Sequence, residues 1–235
     1  MRTAKIKAVI FDLDDTLYEE RHFFHSGFAV VAQHLEHRGI GPRDRTTELL
    51  QHFHHCEGRA QVFQKLETRM SFPDDWVPEI VELFRSHRPV IELAADACQL
   101  LPWLRGAGRQ RLGCVTDGWL TVQRGKIEAL KVEPLLDALI VTDEWGRAFW
   151  KPHPTPFHTC CARLGVTPEE AIYVGDNPER DMVGARRAGL TSVRIRRPGG
   201  YFEKTDFVGI EAQPDYEIQQ LTELESWLVL RPAGA

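Results

Sequence analysis

The segment that decides the fold lies near the start of the chain and reads Ile6-Lys7-Ala8-Val9-Ile10-Phe11-Asp12-Leu13-Asp14-Asp15-Thr16-Leu17. Its apolar, β-branched run Ala8–Phe11 predicts a buried parallel strand. Residues two apart on an extended chain project to the same side, so Asp12 and Asp14 should face one point beyond that strand. Carboxylates that close repel by about 4 kcal/mol at ~4 Å and an effective dielectric of ~20, and we therefore expect a hard divalent cation, Mg²⁺ before Ca²⁺, between them. Taken alone, the aspartates could also form an acidic turn after a strand.

Two further segments place a phosphate-binding group where a predicted strand or loop ends. The strand Arg111–Thr116 ends in a hydroxyl ahead of a predicted helix, and a hydroxyl with backbone N–H groups at a helix start forms an anion cradle. Pro152 holds Lys151 extended, so that its ammonium can point at a phosphoryl oxygen or an aspartate. Considered singly, Thr116 could be only a helix N-cap and Lys151 only a solvated loop residue.

A fourth segment combines a strand end with two more aspartates. The predicted strand ends at Gly175, and Asn177 suits the N-cap of a helix over residues 178–189. Asp176 and Asp181 would then lie near the N-terminus of that helix and face the same crevice. Helix capping alone does not account for an aspartate standing on the strand end.

The chain changes character twice along its length, which indicates a domain inserted into another. Helical spacing of apolar residues continues from residue 21 to residue 87, whereas from Ala94 helices and strands alternate as in a mostly parallel sheet. Further strands are predicted over 138–142, 171–175, 192–195 and 216–218, and helices over 44–56, 60–70, 75–86 and 221–230. We therefore expect a doubly wound α/β core of residues 1–18 and 93–235. A four-helix cap of residues 19–92 would arch over the first acidic strand end as a lid.

Composition excludes several classes of function. The 235 residues are 43% hydrophobic and 27% charged, with a net charge of −5 and no basic block, so a nucleic-acid-binding face is not expected. No apolar run approaches the roughly 18 residues of a membrane span.

The start of the chain and its cysteines bear on the expected compartment. The first residues lead directly into the strand at Ala8, leaving no room for a signal peptide. The five cysteines lack CxxC spacing. We expect free thiols in a reducing cytoplasm, and a monomer or homodimer.

Together, the four segments resemble the haloacid dehalogenase superfamily. The matching positions are DxDxT at Asp12, Asp14 and Thr16, followed by Thr116, Lys151, and GDxxxxD at Gly175, Asp176 and Asp181. Their order and spacing agree along the whole chain, and the helical insert resembles the C1-type cap of that family. The resemblance implies a Rossmann-like core and a Mg²⁺-dependent phosphatase acting on a small phosphorylated metabolite.

The resemblance also implies a role for each matching residue. Asp12 would attack phosphorus to form an aspartyl-phosphate, and Asp14 would protonate the leaving alcohol and later activate water. Asp12, Asp176 and the backbone carbonyl of Asp14 would ligate Mg²⁺. Thr116 would hydrogen-bond the phosphoryl group, and Lys151 would neutralise charge on the nucleophile and the substrate.

The physical chemistry of phosphoryl transfer agrees with these roles. A carboxylate attacking a phosphate anion meets repulsion that Mg²⁺ and Lys151 must offset. By the same resemblance, Asp181 would hold Lys151 or a metal-bound water. Asp14 needs a proton near neutral pH, and we expect its acidic neighbours to raise its pKa.

Other activities on this fold are compatible with parts of the pattern. Dehalogenases that resemble it lack an acid at the position of Asp14, which argues against that activity. A phosphonatase would need a Schiff-base lysine from the cap, where Lys65 has no distinctive context. A phosphomutase keeps both aspartates and stays open, as does a non-catalytic regulatory module. The segments 14–18 and 123–130 look most like the N-acylneuraminate phosphatase and house-cleaning nucleotidase branches.

Substrate selection should come from residues beside the strand ends and from the cap. We expect a substrate-binding set made of Thr116, Asp117, Gly118, Lys151, Arg21 and Arg124, with the two arginines holding a second anionic group. Trp119 could pack on a sugar or base, and the remaining candidates, each equally an ordinary surface or packing residue, are Tyr18, Glu20, His22 and His25. Many relatives carry Asn where this chain has Asp117, and the extra carboxylate either faces away or weakens anion binding.

Histidines are concentrated in the predicted cap. Eight of the ten lie between His22 and His87. His52, His55 and Cys56 could share a helix face with the spacing of metal ligands. The alternative is a partly exposed helix with incidental histidines, because no second ligand cluster is evident.

Overall fold

The computed structural model describes residues 5–106 and 110–229. The chain divides into two compact units, Met1–Glu20 with Glu92–Ala235, here called the core unit, and Arg21–Ile91, here called the helical unit. The first four residues, on which the signal-peptide expectation depends, lie outside the described residues. So does Leu230, the end of the last predicted helix.

The core unit is built on one six-stranded parallel sheet. Its strands are β1 (Ala8–Phe11), β2 (Arg111–Thr116), β3 (Ala138–Val141), β4 (Ala171–Gly175), β5 (Thr191–Ile195) and β6 (Tyr216–Ile218). Their order across the sheet is β3-β2-β1-β4-β5-β6, and every neighbouring pair is parallel. The chain therefore reverses its winding direction between β1 and β4. The predicted α/β fold with a mostly parallel sheet is confirmed, and each strand lies within one residue of its predicted bounds.

The strands form because both faces of the sheet are covered. All four residues of β1 are fully buried, which explains its continuous apolar run. The core helices are α5 (Ala95–Gly106), α6 (Leu120–Leu130), α7 (Thr155–Leu164), α8 (Val183–Arg187) and α9 (Glu223–Val229). A side chain is absent at Gly113 of β2 because a Cβ atom there would come within 2.6 Å of Sγ of Cys160 on α7. This close approach seats α7 against the centre of the sheet.

The helical unit has an apolar core of its own. Its helices are α1, which begins at the end of the core unit (Glu20–His37), α2 (Arg43–Cys56), α3 (Val62–Met70) and α4 (Val77–Ser86), with a 3₁₀ turn at Asp74–Trp76. The buried side chains that join them include Phe28, Leu35, Leu50, Leu66 and Ile80. In the described ranges, no helix has both the length and the apolar character that crossing a bilayer requires.

The predicted helix over residues 178–189 is wrong as a single regular element. Residues Pro178–Met182 form a π-helical turn, and the regular helix α8 begins only at Val183. Asn177 caps the turn as expected, because its side-chain oxygen accepts from the backbone N–H groups of Glu179 and Arg180. The contacts of Asp181, which this turn carries, are described below.

Candidate active site

The predicted catalytic residues meet where the sheet reverses its winding direction. Asp12 follows β1 and Asp176 follows β4, the two strands on either side of the reversal. Thr116 ends β2 on the other side of β1. In open parallel sheets, ligands bind at this crevice beyond the carboxyl ends of the strands. Asp12, Thr116 and Asp176 are all buried, so the crevice is a sheltered site and not an acidic surface.

Three carboxylates converge in this crevice. Asp12, Asp176 and Asp181 are buried and offer oxygen atoms that all lie within 4.8 Å of one another. Burial raises the pKa of the Asp12 carboxyl well above its usual range; the Lys151 ammonium opposes this, and neighbouring carboxylates add to it. Burial likewise raises the pKa of Asp176, and the charges of Asp181 and Asp12 raise it further. Concentrated negative charge of this kind is what a bound cation would relieve.

The donor atoms fit a hard divalent cation. Within the described ranges, Asp12 receives a hydrogen bond on Oδ1 alone, and the Asp176 carboxylate receives none. Free carboxylate oxygens in a buried cluster are the ligands that Mg²⁺ prefers. The carboxylate of Asp14 lies outside the cluster of three, which leaves its backbone carbonyl as the predicted ligand.

Gly175 brings Asp181 to the strand end. A Cβ atom at Gly175 would collide with the carboxylate of Asp181, so only glycine permits this approach. The backbone N–H of Asn177 donates to Oδ2 of Asp181 at 3.0 Å. The π-helical turn directs the Asp181 side chain back toward β4, the strand that precedes it. Such π-helical turns are common at functional sites.

Lys151 is held by all three hydrogens of its ammonium group. Nζ donates to Oδ1 of Asp12 at 2.7 Å, to Oδ1 of Asp181 at 2.7 Å and to the hydroxyl of Tyr173 at 3.1 Å. Burial alone would lower the pKa of Lys151, but the two carboxylates prevail and raise it well above its usual value. Tyr173 was missed by sequence reasoning, since its position inside β4 signals only a buried aromatic side chain.

Asp14 accepts hydrogen bonds from three side chains. Tyr18 Oη and Lys126 Nζ donate to Oδ1, the latter at 2.7 Å, and Gln123 Nε2 donates to Oδ2 at 2.9 Å. Burial pushes the pKa of Asp14 up, but the Lys126 charge and these hydrogen bonds outweigh it and lower the pKa. The expectation of a raised pKa for Asp14 is therefore wrong, because the buried Lys126 ammonium and the hydrogen bonds to Asp14 outweigh the effect of burial.

Gln123 and Lys126 are functional candidates that sequence reasoning missed. They lie three residues apart on α6 and share its buried face, with only 1% and 3% of their surfaces exposed. The same amide nitrogen of Gln123 also donates to Oγ1 of Thr116 at 2.6 Å. Two polar residues three positions apart on the predicted helix that follows Thr116 were the signal that could have revealed them.

The structure places Asp117 and Gly118 in the turn after β2. Oδ1 of Asp117 accepts from the Thr142 hydroxyl at 2.7 Å and from the backbone N–H of Lys151 at 3.1 Å. Burial raises the pKa of its carboxyl. These contacts tie Asp117 to the loop that carries Lys151. Gly118 adopts a φ of 128° and lies against Gln123, with a virtual Cβ only 3.2 Å from that side chain.

The predicted specificity residues Arg124, Trp119 and Arg21 are exposed side chains. Arg124 is exposed and pairs with Glu144 at 2.5 Å and Glu133 at 3.8 Å, so its charge is already engaged. Trp119 is 42% exposed and carries the guanidinium of Arg147 4.5 Å from its ring centroid. Arg21 is an exposed residue of the helical unit.

A buried arginine that the motifs did not indicate supports the Asp176 loop. Arg194 of β5 is fully buried and donates to the backbone carbonyls of Asp176, Phe202 and Thr205, at 3.3, 2.8 and 2.6 Å respectively. It thereby joins the strand end at Asp176 to the segment that follows β5. An arginine within an otherwise apolar strand was its only signal in the sequence.

The histidine-rich helices do not form the ligand group suggested by their spacing. His52 lies 3.6 Å from the Glu57 carboxylate and has 59% of its side chain exposed. Across the described residues, the one group of three or more clustered metal-ligand side chains is the aspartate cluster of the core unit. His52, His55 and Cys56 are therefore not gathered around one point, because His52 turns toward Glu57.

A buried lysine among carboxylates, at the switch point of a parallel sheet, defines an α/β protein with a charged centre in its ligand-binding crevice. Residues 9–195 match the family model described as haloacid dehalogenase-like hydrolase. The chain belongs to that family.

Similar proteins extend over nearly the whole chain. A glyceraldehyde 3-phosphate phosphatase from Methanopyrus kandleri is 30% identical over 227 residues, covering 93% of this chain and 95% of that protein. An N-acylneuraminate-9-phosphatase from Rattus norvegicus is 28% identical over 232 residues, covering 85% and 86% respectively. The crystal structure of a phosphatase of the same family from Thermococcus onnurineus matches with a TM-score of 0.60 and 28% identity, covering 95% and 98%. The chain is a phosphoric monoester hydrolase.

Proposed function

We propose that this protein hydrolyses a small phosphomonoester through an aspartyl-phosphate on Asp12, with Mg²⁺ held by Asp12, Asp176 and the backbone carbonyl of Asp14. The observation that carries the proposal is the unequal engagement of the Asp12 carboxylate. Lys151 holds Oδ1 at 2.7 Å, while Oδ2 accepts no hydrogen bond from the residues described. One oxygen is thus anchored and the other is left to react.

In the first step, Oδ2 of Asp12 attacks phosphorus and the bond from phosphorus to the ester oxygen breaks. Mg²⁺, when bound, offsets the repulsion between the carboxylate and the phosphate anion. Lys151 adds a permanent positive charge beside the nucleophile. The Thr116 hydroxyl accepts from Gln123, so its own hydrogen remains to be donated to a phosphoryl oxygen. Dividing one hydrolysis into two displacements lowers each barrier.

In the second step, water attacks phosphorus and the Asp12–phosphorus bond breaks, which releases phosphate. Asp14 takes the proton of that water, and its lowered pKa means that it stands ready as a carboxylate. That proton leaves Asp14 with the product, since the resting carboxyl is ionised. When the next substrate binds, the negative charge of its phosphate favours uptake of a proton by Asp14, which gives it to the leaving alcohol in the first step.

The names of two relatives support a substrate class for this protein. Two relatives are named for glyceraldehyde 3-phosphate and N-acylneuraminate 9-phosphate hydrolysis, which supports a sugar phosphate or another small metabolite. Arg21 and Arg124 remain the candidates for a second anionic group, although Arg124 must then leave Glu144. Five free cysteines support a reducing, cytoplasmic setting.

The test is phosphate release from a panel of sugar phosphates, nucleoside monophosphates and phosphorylated acids, with Mg²⁺ and with EDTA. We expect metal-dependent release concentrated on one ester class and abolished in Asp12→Asn, with circular dichroism unchanged. Full activity of Asp12→Asn would contradict the mechanism. Phosphoryl transfer between two positions of a sugar phosphate, without release of phosphate, would support a phosphomutase instead.

A further inference from the structure

Asp117 joins three loops of the core unit through one carboxylate. It lies in the turn after β2, and its Oδ1 accepts at 3.1 Å from the backbone N–H of Lys151, in the loop between β3 and α7. The hydroxyl of Thr142, at the end of β3, donates to the same oxygen at 2.7 Å. Oδ2 lies 3.6 Å from Nη1 of Arg180, in the π-helical turn after β4. One side chain therefore connects the segments that follow β2, β3 and β4.

The burial of this carboxylate strengthens its hold on the neighbouring loops. The Asp117 side chain is 8% exposed, and Lys151 and Thr142 are buried. Within the described part of the chain, Oδ2 accepts no hydrogen bond, so its interaction with Arg180 is an ion pair and the hydrogen bonding goes through Oδ1. Removing Oδ1 would leave the N–H of a buried residue without its acceptor, a loss that burial makes costly because water cannot easily replace the acceptor.

Lys151 is fixed at both of its ends. Its Nζ lies 2.7 Å from one oxygen each of Asp12 and Asp181, and its backbone N–H is held by Asp117. Arg180 directly precedes Asp181 in the chain. Asp117 thus contacts the backbone of the lysine and the neighbour of one of its partners. A shift of about 1 Å at a reacting group can cost about 10²-fold in rate, so this anchor bears on where the ammonium lies.

The same contacts argue against a role for Asp117 as a substrate ligand. Oδ1 already accepts two hydrogen bonds from the protein, and Oδ2 pairs with a guanidinium. A carboxylate would also repel a phosphate anion. Asparagine at this position could accept the same two hydrogen bonds through its own Oδ1, whereas alanine could accept neither. The two substitutions therefore separate the positioning of Lys151 from the charge of the side chain.

We propose that Asp117 is a positioning residue for Lys151. Its Oδ1 fixes the loop that carries the lysine, and the ammonium group thereby stays between the carboxylates of Asp12 and Asp181. The inference rests on the proposed function, in which Lys151 offsets charge at the nucleophile. On this assignment, Asp117 acts on turnover through Lys151 and not by contact with the substrate.

Hydrogen exchange of the Lys151 amide, followed by NMR, tests the contact without any need for turnover. In Asp117→Ala we expect this amide proton to exchange at least about tenfold faster than in the parent, because its acceptor is gone. In Asp117→Asn the rate should stay within about threefold of the parent rate. Equal exchange in the parent and in folded Asp117→Ala would overturn the proposal.

Steady-state kinetics on the ester that the parent hydrolyses test the consequence for turnover. Asp117→Ala should lower kcat by about 10–100-fold and change KM by less than about threefold, since a displaced ammonium weakens the transition state more than the ground state. Asp117→Asn should recover kcat to within about threefold of the parent value. A kcat as low in Asp117→Asn as in Asp117→Ala would overturn the positioning role, and so would a parental kcat in Asp117→Ala. A change of KM alone, in both variants, would make Asp117 a substrate ligand instead.

The matched control is Asp137→Ala, near the amino ends of β2 and β3. Asp137 also combines a backbone contact with an arginine, since Oδ2 accepts from the N–H of Leu112 at 2.8 Å and Oδ1 accepts from Arg105 at 3.2 Å. This variant should lose stability in urea and keep the parental kcat. An equal loss of kcat in Asp137→Ala would overturn the proposal by tracing the effect to stability. A parent that releases phosphate from no ester would contradict the proposed function, whereas the exchange rate of the Lys151 amide would still decide the role of Asp117.

Discussion

The ammonium of Lys126 lies 2.7 Å from Oδ1 of Asp14, although the two residues are 112 positions apart in the chain. Both are largely withdrawn from solvent, since Lys126 has 4% and Asp14 19% of its side chain exposed. This ion pair, with the Tyr18 hydroxyl and the Gln123 amide, decides that Asp14 is a carboxylate in the resting site. Two residues of α6, Gln123 and Lys126, therefore set the charge and the hydrogen bonding of Asp14, which lies just after β1.

Replacing Lys126 by Met should slow the second half of the reaction. Without the ammonium, Asp14 loses the charge and one of the hydrogen bonds that orient it toward water. Positioned acid–base groups contribute roughly 10²–10⁴-fold, so we expect kcat to fall by about 10–100-fold with a smaller change in KM. Rapid quenching should reveal an aspartyl-phosphate that accumulates in the variant.

The control for that measurement is Lys131→Met, at the exposed C-terminal end of α6. It removes the same charge from the same helix without touching Asp14. Equal loss of kcat in both variants would show that net charge, and not the Lys126–Asp14 contact, is responsible.

Gly175→Ala should damage both stability and turnover. The added Cβ collides with the Asp181 carboxylate, which must move and release Lys151 or the Asn177 N–H. Overpacking of this kind costs about 1–3 kcal/mol of unfolding free energy. Urea unfolding measures that loss, and kcat should fall with it. Gly106→Ala is the matched control, because a Cβ there meets no atom within 4 Å; destabilisation by this control would contradict the steric explanation.

Tyr173→Phe should have a smaller effect than Gly175→Ala. The variant keeps the ring, which packs on Phe157 with centroids 4.8 Å apart, and removes only the hydroxyl, which accepts from Lys151 and lies within donating distance of the Val115 carbonyl and of Oδ1 of Asp181. Each lost buried hydrogen bond costs about 1 kcal/mol, so a decrease in the urea midpoint is expected. Lys151 keeps Asp12 and Asp181 as partners, so kcat should stay within about tenfold of the parent value. A complete loss of turnover would mean that the hydroxyl takes part in the chemistry.

His54 should make the helical unit sensitive to acid. Burial lowers the pKa of its imidazole to about 3, with Arg59 and neighbouring histidines adding to the effect. Neither ring nitrogen has a hydrogen-bond partner in the described part of the chain. The pKa of His54 is lower in the folded state than its unfolded value of about 6.5, so protonation favours the unfolded chain. The stability that neutral His54 allows is therefore fully present above pH ~6.5. It is lost as the pH falls toward 3, at up to ~1.4 kcal/mol of unfolding free energy per pH unit.

Unfolding free energies at pH 7 and pH 5 measure this loss. His54→Leu should reduce the difference between the two values by about 1–2 kcal/mol, because it removes the group that must ionise. His37→Leu, at an exposed position of α1, should leave the difference unchanged. A parent protein equally stable at both pH values would exclude the role of His54.

Much of the fold could be predicted because its signals are local. The apolar run Ala8–Phe11 and its aspartates lie within one short segment, and the alternation of helices and strands after Ala94 depends on neighbouring residues only. The prediction of one regular helix after Asn177 was wrong, since Pro178–Met182 form a π-helical turn. This turn carries Asp181, whose carboxylate accepts from Lys151, 30 residues away in the chain.

The sequence by itself determined the family, the parallel sheet and the gathering of Asp12, Thr116 and Asp176 at strand ends, because parallel strands present their carboxyl ends at one edge. Lys151 lies in the loop between β3 and α7, and its contact with Asp12 is a property of the folded chain. Only the tertiary structure decided that contact and the sign of the Asp14 pKa shift. These properties depend on Coulomb interactions, desolvation and hydrogen bonds between residues far apart in the chain. Such effects are governed by distances through space, and spacing along the chain does not reveal them.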